Sequence, residues 1–149
     1  MAEITRQQLV LALLGAGPNP RLAGLDLSDL DLQRLDLEGA NLRGANAQRA
    51  NLQEAILRNT NLTGVDFSDA TLSYADCNGA MLSLAILTGA DLRHARLSNA
   101  TLANADLRGA DLTSANLQGA RFTEVEVDEA TVWPDGQRGS IVNLERYLT

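Results

Sequence analysis

Residues 105–119 read ADLRG ADLTS ANLQG: three five-residue windows, each with alanine first, Asp or Asn second, leucine third, and polar residues or glycine after. Outward from this stretch the same frame holds from Pro20 to Pro134, twenty-three windows without insertion or deletion. The third place is leucine in seventeen windows and otherwise Ala47, Phe67, Cys77, Phe122, Val127 or Val132; the first is alanine in sixteen. A helix repeats its apolar face about every 3.6 residues and a long strand about every 2, so a period of five fits neither. It fits a short extended piece, with places one and three inward and place two outward, followed by a corner at places four and five. Such a unit cannot bury its apolar side alone and must coil onto copies of itself.

The charges set the size of the coil at four windows. Residues twenty apart then stack about 4.8 Å apart. In that register Asp29, Arg49 and Asp69 form a column of alternating sign, and Arg34 meets Glu54, Glu38 meets Arg58, and Asp76 meets Arg96. Opposite charges stacked this way stabilise, and like charges do the reverse. Asp91 with Asp111 and Asp106 with Glu126 break the pattern. Core volume supports the same register. Phe67, the bulky ring in mid-core, stacks on Ala47 and shares its coil with Cys77, so small residues offset a large one. Cys77 is therefore a core hydrophobe rather than a reactive thiol, and a single cysteine excludes an internal disulfide.

The unbroken A-[DN]-L-x-x run resembles the pentapeptide-repeat family. The resemblance covers residues 20–134 and implies an all-β solenoid: a right-handed, quadrilateral β-helix of about 5.75 coils, rising roughly 27 Å. It resembles most the leucine-rich type found widely in bacteria, cyanobacteria especially.

The flanks read as caps over the open ends of the solenoid. Residues 1–19 hold a helix. Thr5 is its N-cap, Gln8 the return partner of a capping box, and Ile4 with Leu9 a hydrophobic staple. The helix runs through Leu14, stops at Gly15 and Pro18, and covers Leu25, Leu30 and Leu35 of the first coil with Leu9, Val10, Leu13 and Leu14. Residues 135–149 follow a turn at Trp133 and Pro134. Ser140 would cap a short helix with Ile141, Leu144 and Leu148 on one side, and Trp133 would pack over the last coil.

The sequence carries no catalytic set. The single histidine, His94, occupies a corner between Tyr74 and Ser114 in its column; Ser73 and Asp91 lie nearby, with nothing to bury or orient a triad. Metal-binding and phosphate-binding motifs are lacking. The outward Asp and Asn row reads as solvated surface, with Asn41 and Asn61 able to bond up the stack. Glycines gather at place five, where a corner needs a permissive backbone. The expectation is no enzyme, no cofactor and no metal.

One stretch departs from the pattern. At residues 80–89, AMLSLAILTG, Met81, Leu84 and Ile86 occupy outer places that elsewhere hold Asp, Asn or Gly. Their column neighbours are Asn61 and Thr101, Gly64 and Asn104, Asp66 and Asp106. Three exposed apolar side chains at one corner fit either a contact surface or drift of the repeat, of which outward Ile56 is another instance. Net charge is −7, all twelve basic residues are arginine, and the acids concentrate toward the two ends of the repeat. An acidic surface repels nucleic-acid phosphates. The sequence reading is thus a protein-interaction module that presents a rigid surface to a protein partner or to a second copy, as a homodimer. The alternative, implied by the resemblance, is an acidic DNA mimic that binds a type II topoisomerase such as gyrase; charge columns of alternating sign and a core poor in phenylalanine speak against it. No apolar run is long enough to span a bilayer and no charged leader precedes Leu9, so a cytoplasmic setting is expected.

Overall fold

The computed structural model describes residues 4–139 and 144–149. The repeat folds as a parallel β-solenoid. Place-two residues twenty apart pair in parallel without interruption from Arg21 with Asn41 to Asp106 with Glu126. Four windows therefore complete one coil, as the charge columns predict.

Each window is built the same way. The place-two residue is extended, and the next N–H donates to the coil above, as Leu62 does to the Met81 carbonyl at 2.8 Å. The chain then turns, and the following place-one N–H returns to the place-three carbonyl, as Ala40 does to Leu37 at 3.0 Å. The third residue of that four-residue turn, place five of the window, has positive φ in every window from Gly24 to Glu124. That conformation is easy for glycine and tolerable for Asn or Asp. Inside, the first-place alanines and third-place leucines form one continuous core, with Phe67, Cys77 and Ala47 buried in it as expected. The volume exchange is close but incomplete: a cavity of about 10 Å³ remains between Ala47, Phe67 and neighbouring leucines.

The second place does more than face solvent. Its Asp or Asn side chain accepts the N–H two residues on, as Asp36 does from Glu38 and Asn41 from Arg43, at 3.0 and 3.1 Å. This Asx turn pre-forms the corner and explains the residue preference. Asn41 and Asn61 each accept within their own window, whereas Asn46 donates down the stack to Asp26 at 3.2 Å.

The frame does not run unbroken to Pro134. Asp111 pairs with Val132, twenty-one residues on. The extra residue is absorbed around Asp128, whose carboxylate accepts the N–H groups of Gly109, Ala130 and Thr131 at 2.9, 3.0 and 3.0 Å. The last window is accordingly Thr131 to Asp135. Val132 moves from the expected third place to the second. Trp133, expected over the last coil, fills the third, core place, buried and with its indole N–H donating to the Gly139 carbonyl at 3.0 Å. The Pro134 carbonyl accepts from Ser114 at 2.8 Å.

Helix α1 spans Arg6–Gly15 with the Thr5–Gln8 capping box in place. Leu9 is fully buried, and Ile4 and Leu13 pack on the core beside Leu25, Leu30 and Leu35. Arg6 donates to the carbonyls of Asp31 and Gln33 on the edge of the first coil. Leu14 does not cover that coil; it is 80 % exposed. At about 100° per residue it lies some 140° around the helix from Leu9. Helix α2 spans Glu145–Leu148. Leu144 and Leu148 pack on the core, the Leu148 carbonyl accepts from Gly119 at 2.7 Å, and Tyr147 stacks on Trp133, whose other neighbour is partly buried Phe122. The expected cap at Ser140 and the packing of Ile141 lie outside the described residues.

Candidate functional site

The apolar corner is where the sequence reading places it. Met81, Leu84 and Ile86 are 44 %, 60 % and 40 % exposed, while Ala80, Leu82, Ala85 and Leu87 beside them are buried. Met81 and Ile86 sit on the two faces that meet at the corner, paired above and below with Asn61 and Thr101, and with Asp66 and Asp106.

Each of the three breaks a local rule that most windows keep. Met81 and Ile86 have no oxygen with which to accept the turn N–H. Leu84 holds φ 60 with a branched side chain, where Gly64 sits below it and Asn104 above. Left-handed backbone costs an ordinary residue about 1–2 kcal/mol, and Leu84 recovers little by burial. The three departures fall in two consecutive windows; Tyr74, also at φ 60 and 55 % exposed, is a single departure of the same kind at another corner.

The charges sort by face more sharply than by end. The face and corners carrying Leu84 and Ile86 comprise residues 24–29, 44–49, 64–69, 84–89, 104–109 and 124–129. They hold nine acidic residues against Arg49 and Arg108, a balance of −7; the other ten acidic residues and ten arginines of the chain cancel. Next to Ile86, the Asp66 carboxyl is raised by burial, but hydrogen bonds from Ser68 and Gln48 outweigh this and hold it below the usual range. Those donors are neutral, so its charge remains. Asp106, on the other side, is paired with Arg108 at 2.6 Å, and Arg108 also reaches Glu126 at 3.7 Å. Here and at Asp91, where Arg93 forms a bidentate pair, a place-four arginine offsets the like-charge columns.

The other sequence candidates resolve as structure. His94 stacks on Tyr74, ring centroids 4.6 Å apart, and Asp91 is engaged by Arg93 rather than by His94. Burial pushes the Cys77 thiol up to about 12. Among the described residues no cluster of His, Cys, Asp or Glu is placed to hold a metal ion, and no helix is long and apolar enough to cross a membrane. The Asx turns and the segregation of charge to one face escaped the sequence reading. The first was signalled by the preference for Asp or Asn two residues before a turn N–H; the second only by sorting charges modulo twenty.

No curated protein matches the chain. Among solved structures, HetL, a pentapeptide repeat protein involved in heterocyst differentiation regulation from the cyanobacterium Nostoc sp. strain PCC 7120, is 34 % identical with a TM-score of 0.65 over 79 % of this chain and 61 % of HetL. The chain thus spans about three fifths of that relative's length. QnrB1, a plasmid-mediated fluoroquinolone resistance protein, is 20 % identical with a TM-score of 0.60 over 77 % of this chain and 59 % of its own, a likeness of fold alone. The pentapeptide-repeat family model matches residues 21–59, 57–89 and 90–126 in eight copies. With that match over most of its length, the chain belongs to the pentapeptide repeat family.

Proposed function

We propose that this protein is a non-enzymatic interaction module whose docking point is the corner formed by Met81, Leu84 and Ile86, presented to a protein partner or a second copy in a cytoplasmic setting. The observation that carries the reading is the coincidence of exposure with broken local rules at those three residues. The scaffold in this reading is a right-handed helix of about 5.75 coils, the hand following from the family. Its ends are closed by Arg6 and Leu9 below and by Trp133, Tyr147 and Leu148 above. A rigid scaffold suits this role because the docking side chains need no ordering on binding. The test is Met81→Ser/Leu84→Asn/Ile86→Ser against wild type, by light scattering after size exclusion and by pull-down. A variant that stays folded and loses its partner or its dimer supports the reading; identical behaviour of the two proteins removes it.

A second reading, a DNA mimic that binds gyrase, is favoured by the concentration of the whole net charge on one face. Ile86 interrupts that face at its middle, where a mimic needs continuous acid. Unchanged gyrase supercoiling in the presence of purified protein would eliminate it.

A further inference from the structure

We propose that the occupant of the corner is a basic amphipathic helix of another protein. It lies along the solenoid axis, with one turn of its apolar stripe on Met81, Leu84 and Ile86, which share a single coil, and its cationic flank over Asp66 and Asp69. The inference rests on the reading of that corner as a docking point and names the partner's chemistry.

Charge chooses the class of partner. The face beside the corner carries the entire net charge of −7. A two-fold running across the solenoid axis would set the acidic face against itself, whereas one along the axis would set it against the Met81 face, so a dimer through the corner is an outcome the test must separate. Nucleic acid and anionic lipid are repelled by the acidic face. Asp66, directly below Ile86, is hydrogen-bonded only by neutral Gln48 and Ser68, so it can still take a lysine or arginine. On the Met81 side the neighbours Asn61 and Thr101 are uncharged, so the partner's cations belong on one flank only.

Geometry chooses the helix. Rungs repeat about every 4.8 Å and helical turns every 5.4 Å, so over two rungs a helix parallel to the axis slips by only about 1 Å. Same-side residues of an extended segment repeat about every 6.7 Å and lose register after one rung. The corner column also leaves room. Below Leu84 it consists of Gly64, Gly44 and Gly24, and a Cβ at each would meet nothing within 4 Å. At the preceding corner Gly79 and Gly119 are covered by the Asn59 and Asn99 side chains of the coils below, whose Oδ1 atoms would stand 2.6 Å from such a Cβ. Among the described residues only the Leu84 corner offers a bare backbone track, closed at its upper end by an apolar stop.

The test uses fluorescein-labelled, alanine-rich peptides of about four helical turns, with leucines on one stripe and lysine, glutamine or glutamate along one flank. Anisotropy is read on wild type, on Met81→Ser/Leu84→Asn/Ile86→Ser, and on Asp66→Asn/Asp69→Asn, which keeps the turn acceptors and tolerates the left-handed backbone. The expected result is binding in the order lysine, glutamine, glutamate. Each variant should weaken the lysine peptide by about tenfold or more, and the loss in the Asp66/Asp69 variant should vanish at about 0.5 M salt. Equal binding of lysine and glutamine peptides, lost in the corner variant, would overturn the basic partner and leave the docking corner standing. Lysine-peptide binding that survives the corner variant would overturn both readings. No binding of any peptide, or a wild-type dimer broken by the corner variant, would overturn the helical partner alone.

Discussion

Arg49 clamps Asp29, twenty residues earlier in the chain, through two parallel hydrogen bonds of 2.7 and 2.8 Å. Arg34 holds Glu54 the same way at 2.9 and 3.2 Å, and Arg58 holds Glu38 at 2.6 Å. The hydrogen bond from arginine keeps each carboxyl below its usual range. Such groups add stability above their unfolded pKa values, near 4, and the gain is lost as pH falls through the lowered folded values. Tm should therefore fall as the pH drops below about 4. Arg34→Gln/Arg49→Gln/Arg58→Gln should show a shallower acid dependence, measured by thermal circular dichroism. A triple variant with the wild-type slope would show that these exposed pairs contribute nothing.

Phe67 is the largest side chain in mid-core and already borders a small void. Phe67→Ala should cost about 3–5 kcal/mol in chemical denaturation, since the stiff coils above and below cannot collapse into the space. The Cys77 thiol in the same layer should resist a thiol reagent in the native protein and react only on unfolding.

Leu84→Asn should raise stability by about 1 kcal/mol, because Asn accepts the left-handed backbone that leucine resists and little burial is lost. For a chain of this size that is a rise in Tm of about 2–4 °C. A partner-binding loss in the same variant would be the expected trade of stability against function.

Trp133 is the single tryptophan and is buried, so its emission should be blue-shifted. Asp128→Ala removes the acceptor that holds the one-residue bulge below it. The emission should then move to the red at a lower temperature than the loss of β signal, reporting local release of the last window.

Much of this architecture was legible because the period is so regular. Arg34 with Glu54 and Asp29 with Arg49 could be paired from numbering alone, and the corner at Met81, Leu84 and Ile86 stood out as a breach of the same rule. The slip after Val127 was hidden because Ala130 and Val132 satisfy the apolar pattern in the unslipped frame, whereas the observed frame puts Val132 in the outward place and Trp133 in the core slot. The exposure of Leu14 was hidden because α1 is apolar on nearly every side, so no face is marked. The acidic face was scattered through six windows twenty residues apart, invisible to any reading of local runs.

The step of twenty has a consequence for how such a chain can change. Removing five residues would keep every alanine and leucine pointing inward, yet it would rotate all later windows by a quarter turn. With the deletion between them, Arg49 would move to an adjacent corner and lose Asp29, and a deletion within the stack would split the acidic face between two adjacent sides. Removing twenty would restore every column and merely shorten the stack. The interior is therefore inherited in units of five and the surface in units of twenty, so length variants that keep a binding face should differ by whole coils.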